Sequence, residues 1–430
     1  MESKELNIYP RSHQYPSVLI AMLIELKLKT HNSFRGLAKQ LVILNMYFSI
    51  FKKVPCHVTI SNWIKKVGYY EISREEEKSN DWIIIIDESI QIGAEKLLVI
   101  LGVNSINIDF SHPLNFKDIR PILQVNKKGW NAQKVKHEIE KAKKILGNIK
   151  YAVSDNGASL TKGLELSSIP RVYDITHCVA NILKRNYKED PDFISYLKKT
   201  VTLRQQLQQT KWAYLIPPQQ RSQSRFQNLK PIIQWGIKTL YYLNNNTEGN
   251  VFYDENQELL KKAGWLNNFE FLLKELAQIL NVVEQIFKIV KKEGLNEKTV
   301  KRCEKHINQL EGIKGRRIGI EINQYFTEVL NMGIKNVVCT SDIIESAFGM
   351  YKNNISQNSL AGITNLSLII PAYTSNITSN SIKQVMEGVT SKDVKKWSQE
   401  YIGDSILKKR KNAYNQNTIN GMKKKLKNIA

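Results

Sequence analysis

The segment DWIIIIDESIQI, residues 81–92, constrains the fold more than any other stretch of the chain. Four consecutive isoleucines are β-branched, stiff at χ1 and suited to a pleated strand. The run is too short for a helix and has no polar alternation, so the strand must be covered on both faces. Such a strand needs neighbours. KLLVILGVN (96–104) supplies a second, HPLNFKDIRPILQVN (112–126) holds a third, shorter one, and IKYAVSDNGAS (149–159) a fourth. NAQKVKHEIEKAKKILG (131–147) is an amphipathic helix stopped by Gly147, and RVYDITHCVANILKR (171–185) is a short strand running into a helix. Strands in a row, then strands alternating with helices, predict a mixed α/β sheet.

The flanks read differently. Before the sheet, SVLIAMLIELKLKTHN and SFRGLAKQLVILNMYFSIF are helical, the second with Ser33 as its cap. In VPCHVTISNWIKKVGYY, Pro55 opens a helix, Ile60 with Trp63 or Ile64 forms a buried stripe, and Gly68 closes it. The opposite face would show His57, Ser61, Asn62, Lys65 and Lys66, the polar and basic set that a helix-turn-helix lays into the major groove. SREEEKSN (73–80) is a charged linker. From about 190 to 335 strand signals fade, and FEFLLKELAQILNVVEQIFKIVKKEG keeps a 3.6-residue apolar period. The end, ILKKRKNAYNQNTINGMKKKLKNIA, is strongly basic. The expected domains are therefore 1–75 (helical, helix-turn-helix), 76–190 (first part of the sheet domain), 191–335 (helical insertion), 336–400 (last part of the sheet domain) and 401–430 (basic tail).

Charge narrows the partners. Lys and Arg number 63 against 40 Asp and Glu, a net +23, and a surplus of that size points to a polyanion. A membrane partner is disfavoured, because no apolar run approaches the ~20 residues of a spanning helix and the first residues lack a signal-peptide core. Double-stranded DNA is the expected partner. Cys56, Cys178, Cys303 and Cys339 form no CxxC pair, which fits a reducing cytoplasm and gives no zinc signature.

The acids suggest the chemistry. Asp87 and Asp155 each end an apolar strand run, and Glu345 lies far downstream in a helical stretch, ESAFGMYK, with Lys352 seven residues on and therefore on the same face. Each has a plain structural alternative: Asp155 in SDNG makes an Asx-turn, and Glu345 and Lys352 sit on a solvated helix. As an ordered set, three carboxylates on a mixed sheet can hold two Mg²⁺ or Mn²⁺ ions, the arrangement that cuts phosphodiesters.

In that order, Asp87, Asp155 and Glu345 with Lys352 resemble the DDE transposases of bacterial insertion sequences. Asp174 and His177, in DITH, match the [Cys/Asp]-x2-His motif that such transposases carry after the second aspartate. The resemblance covers roughly residues 30–375. It implies an α/β RNase H-like core with a mixed five-stranded sheet, interrupted by an all-α insertion and preceded by a helix-turn-helix. The 190 residues from Asp155 to Glu345 leave room for that insertion.

By resemblance, Asp87, Asp155 and Glu345 are the catalytic metal ligands, with two Mg²⁺ (or Mn²⁺) per site. Lys352 contacts a DNA phosphate, His177 steadies a scissile phosphate or organises the sheet end, and Trp235 and Trp265 either stack on a flipped or hairpin base at the cleaved end or pack in a core, the commoner use of a buried tryptophan. The partners implied are transposon-end inverted repeats and target DNA, bound by a homodimer in the bacterial cytoplasm. Glu88, beside Asp87, either competes for metal or faces away, and Asp342 shares the face of Glu345. Two alternatives stand beside transposition: an RNase H-like nuclease or resolvase without strand transfer, and a domesticated, transposase-derived DNA-binding protein.

Overall fold

The structure, a computed structural model, describes residues 8–30, 32–92, 94–220, 224–245, 253–354 and 362–415. The chain divides into two compact units. One holds residues 1–109, 114–172 and 341–430; the other holds 110–113 and 173–340.

The first unit contains the sheet. It opens with helices α1 (Ser17–Lys29), α2 (Phe34–Phe48) and α3 (His57–Ser73). Strands β1 (Ser79–Ile92), β2 (Glu95–Asn104) and β3 (Arg120–Lys128) follow, then α4 (Ala132–Leu146), β4 (Gly147–Ser154), α5 (Ala158–Leu166) and β5 (Arg171–Tyr173). The sheet is mixed, with order β3-β2-β1-β4-β5. β2 runs antiparallel to both β1 and β3, and β4 runs parallel to β1. As expected of the isoleucine run, Ile83 through Ile86 are each exposed by 1% or less. At about 1.5–3 kcal/mol for each buried isoleucine, this strand anchors the unit.

Alternation sorts β1 and β4 into two faces. Ile84 and Ile86 of β1, with Ala152 of β4, join the core under α4 and α5, against Val135, Ile139, Leu160 and Leu164. Their odd-numbered neighbours turn to the other face. Asn131 caps α4 by accepting from the Lys134 amide at 2.9 Å, and Gly147 ends it at φ +90°.

Later segments complete this unit: α13 (Asp342–Asn354), α14 (Ile369–Ala372), α15 (Ser379–Gly388) and α16 (Ser391–Trp397). Helix α3 lies among them, packed against α1, α2, β3, α14, α15 and α16. Gly68 does not end α3. It sits inside the helix, where an added Cβ would come 1.8 Å from the Leu368 carbonyl oxygen, so it is there for close backbone approach.

The second unit is helical: α6 (Ile175–Tyr187), α7 (Pro191–Leu207), α8 (Lys230–Asn245), α9 (Tyr253–Ala263), α10 (Glu270–Glu293), α11 (Glu297–Ile307) and α12 (Gly312–Leu330). It takes in α6, which the sequence pattern assigned to the sheet domain. The reason is packing: α6 lies against α12, Ile175 donates its amide to the Cys339 carbonyl, and the Tyr325 hydroxyl donates to the Tyr173 carbonyl at 2.8 Å. Leu273, Leu276, Ile279, Ile286 and Val290 form the buried stripe of α10, at the helical spacing read from the sequence.

Candidate active site at the strand ends

Asp87 and Asp155 come together by register. β1 and β4 pair in parallel with Ile85 opposite Val153, and each aspartate lies two residues further along its own chain. Parallel neighbours are about 4.8 Å apart, and residues two apart share a face. The two carboxylates therefore leave the same face of the sheet, the face that α4 and α5 do not cover: Asp155 lies just past the end of β4, whereas Asp87 lies within β1, which runs on to Ile92 against β2, so Asp87 does not end its strand as the sequence suggested. Both residues are half-buried.

The turn after β4 is built around Asp155. Its Oδ1 accepts from the Gly157 amide at 2.9 Å, the Asx-turn that SDNG suggested. Its carbonyl accepts from Arg171 Nη1 at 3.0 Å. Arg171 thus fixes the strand end, a role with no local sequence signal, since the partners are separated by a helix. Glu88 points the other way. Its carboxylate accepts from the Ser159 hydroxyl and pairs with Lys96 Nζ at 3.3 Å, on the α4/α5 side of the sheet.

Helix α13 packs against β1 and carries Glu345 in its first turn and Lys352 in its last. At 100° per residue the two project within about 20° of each other, beside the buried stripe of Ile343, Ile344, Ala347, Phe348 and Tyr351. Both are exposed, and Asp342 is half-buried in the same first turn. Of the small residues in ESAFGMYK only Ala347 is buried. Gly349 faces open space, and Ser346 is exposed, so neither is needed for close packing.

A pair of carboxylates on one face of a sheet is a donor set suited to a hard divalent cation. The third carboxylate is not drawn in to complete it: among the described residues no group of three or more Asp, Glu, His or Cys side chains stands in a metal-holding arrangement.

The other expected residues lie elsewhere. Asp174 and His177 belong to the helical unit, where Asp174 is the buried N-cap of α6. Its Oδ1 accepts from the His177 amide at 2.8 Å and lies 3.1 Å from His177 Nδ1. An Asp-x2-His spacing is also the spacing of a cap and its third helical residue, so the motif has a structural use here. Trp235 and Trp265 are likewise engaged within the helical unit. Trp235 Nε1 donates to the Leu215 carbonyl at 2.9 Å, and the Trp265 ring packs edge-on to Tyr196 and Phe269 with Lys199 above it.

Helix α3 departs from a groove-reading helix in two respects. Eight residues, 49–56, join it to α2, where a helix-turn-helix has three or four. It is also enclosed by its neighbours instead of presenting one long open face. Asn62 is exposed, while His57, Ser61, Lys65 and Lys66 are half-buried. Burial pushes the amines of Lys65 and Lys66 below the usual lysine range.

No helix among the described residues is long and apolar enough to cross a membrane. No protein-family model matches the chain, and no curated protein is similar to it. Among solved structures, the chain is similar to the Drosophila P element transposase strand transfer complex, at 11% identity and a TM-score of 0.39, over 85% of this chain and 92% of that one. A likeness of that degree assigns neither fold nor activity.

Proposed function

We propose that the chain is a DNA transposase of the DDE type, which cuts the ends of a mobile element and joins the freed 3′-hydroxyls to target DNA. The observation that carries this reading is the pair Asp87 and Asp155, placed on one face of adjacent parallel strands, each two residues beyond the pair Ile85 and Val153. The sheet order β3-β2-β1-β4-β5, an antiparallel meander extended by a parallel strand, supports an RNase H-like core. The helical unit between β5 and α13 supports an insertion into that core. The net charge of +23 supports a DNA partner.

In this reading Asp87 and Asp155 would hold the divalent cations, two per site, and Glu345, one helix away, would complete the set. Bound there, Mg²⁺ or Mn²⁺ supplies the Lewis acidity for phosphodiester cleavage. Arg171 keeps Asp155 in place through its carbonyl, and Lys352, on the side of α13 that carries Glu345, meets a backbone phosphate as a point charge. Closure of Glu345 onto the aspartates accompanies DNA binding, since catalytic contacts tighten in the substrate complex.

A second reading is kept because, among the described residues, Glu345 does not stand with Asp87 and Asp155 in a metal-holding group: a transposase-derived protein that binds DNA and no longer cuts it. One assay decides. Purified protein is incubated with Mg²⁺ and labelled DNA carrying the inverted repeats that flank its gene. Joined products support transposition, cleavage without joining makes the protein a nuclease, and retention without cleavage makes it a binding protein. Asp87→Ala, Asp155→Ala and Glu345→Ala are each expected to abolish cleavage and spare binding. Undiminished cutting by any one removes that residue from the site.

A further inference from the structure

Among the described residues, the C-terminal half of α2 leaves most of its apolar side chains exposed. Leu37 and Leu41 are the only buried residues of this helix. Val42, Ile43, Leu44, Met46, Tyr47 and Phe48 are exposed by 44 to 80%, and Ile50 continues the surface into the following turn. At 100° per residue these six helical side chains spread over about 240° of the circumference. With roughly 150–250 Å² for each aromatic side chain, the stretch exposes on the order of 800 Å² of largely apolar surface. That exceeds the largest patch on an ordinary monomer, about 300–600 Å². It is of the same order as one partner's share of a standard protein–protein interface, about 800 Å².

The one amide side chain among residues 41–48 is already satisfied. Asn45 donates through Nδ2 to the Phe51 carbonyl at 3.0 Å and accepts through Oδ1 from the Phe51 amide at 2.7 Å. Its amide can enter an apolar interface without losing a partner, and it fixes the 49–51 turn against the helix end.

We infer that this surface is a two-fold interface with a second copy of this chain, α2 crossing its symmetry mate antiparallel near Asn45. Three observations select that occupant. The exposed area matches what one protomer brings to a stable dimer. An apolar surface wrapping two-thirds of a helix is unlike a membrane-surface helix, which keeps a broad charged face to water. Residues 40–50 carry no charge at all. Charge placement also suits an antiparallel pair. α2 has no acid, and its cations, Arg35 and Lys39, lie in its first half. Lys39 is six residues, about 9 Å, from the crossing, so the two copies of Lys39 stand at least about 18 Å apart. That is beyond the Debye length of about 8–10 Å at physiological salt. The inference rests on the α2 surface and not on the carboxylates, so it stands or falls apart from the catalytic reading.

Sedimentation velocity of the full chain at about 1–50 μM, in 0.5 M salt to strip nucleic acid, tests it. The wild type is expected at twice 49.6 kDa. Met46→Lys/Tyr47→Ser, which changes two exposed side chains and leaves the circular dichroism unaltered, is expected to sediment as a monomer, with a dissociation constant raised at least tenfold. A monomeric wild type, or a variant that stays dimeric, overturns the assignment. So does wild-type protein that sediments as a monomer and is pulled down, through Tyr47, by vesicles containing phosphatidylserine.

Discussion

Asp155→Asn separates a chemical role from a structural one, because asparagine keeps the turn and removes the charge. The asparagine Oδ1 still accepts from the Gly157 amide, and the change from a charge-assisted to a neutral hydrogen bond costs about 1 kcal/mol. Against this, neutralising Asp155 relieves its repulsion with Asp87. At the backbone spacing of neighbouring strands, about 4.8 Å, two charges would repel by about 0.9 kcal/mol at the dielectric of water and about 3 kcal/mol at an effective 20; for half-buried groups the lower end applies. The two effects offset, so without divalent cations Asp155→Asn should change stability by less than about 1 kcal/mol, within about 4 °C in Tm. Asp155→Ala loses the acceptor as well and should fall about 1–2 kcal/mol below the asparagine variant. Adding Mg²⁺ at tenfold over its dissociation constant should stabilise the wild type by about 1.4 kcal/mol and leave Asp155→Asn unmoved. Thermal unfolding with EDTA and across a Mg²⁺ titration reads both. The reasoning is refuted if Asp155→Asn melts far below wild type in EDTA, or if Mg²⁺ raises both proteins equally.

Three further outcomes follow from the packing. Gly68→Ala should destabilise the chain by about 2–3 kcal/mol in urea unfolding, because its Cβ would strike the Leu368 backbone; Gly349→Ala, with open space around it, should gain up to about 1 kcal/mol from helix propensity. Cys56 is exposed, and hydrogen bonding with Thr59 holds its thiol below the usual range, while burial pushes Cys178 and Cys303 up to about 12 and Cys339 higher still; iodoacetamide followed by mass spectrometry should modify Cys56 in the native chain and all four cysteines after denaturation. Glu138 on α4 is opposed by burial, but hydrogen bonds and charge from Lys127 and Lys141 prevail and hold its carboxyl below the ordinary 4.5. Its contribution is therefore complete above the ordinary glutamate value and lost as pH falls through the depressed folded one, so the Tm gap between wild type and Glu138→Gln should be open at pH 7 and should narrow steadily as the pH is lowered below the ordinary glutamate value.

The sheet was legible because its signals are local. A β-branched run, the Gly147 stop and strand alternation are each written in a few neighbouring residues, and parity along β1 and β4 then decides which acids share a face. Asp87 with Asp155, and Glu88 turned away, both follow from counting by twos. The helices around the sheet were less legible. Gly68 in a sequence marks a helix end as readily as a close contact, and only Leu368, three hundred residues on, distinguishes the two. The pattern taken for a recognition helix in α3 is an amphipathic stripe with polar tips. Whether its polar side opens to solvent depends on α14, α15 and α16, which arrive from the far end of the chain.

The same distinction separates the three carboxylates. Asp87 and Asp155 each follow by two residues the pair Ile85 and Val153, so their placement on neighbouring strands belongs to the fold and needs no ligand. Glu345 is carried by α13, a helix and not a paired strand, and the first turn of that helix favours an acid in any case because the helix dipole is positive there. That preference accounts for both Asp342 and Glu345 without catalysis, and the spacing to Lys352 follows from the helix repeat. The discriminating property is thus mobility of α13 relative to β1. Hydrogen exchange over 342–354, compared with and without end DNA in Mg²⁺, should show protection of α13 in the wild type and in Asp342→Asn. In Glu345→Gln that protection should be lost, because the carboxylate that would draw the helix onto the sheet is gone. Loss in Asp342→Asn and not in Glu345→Gln would transfer the third role to Asp342.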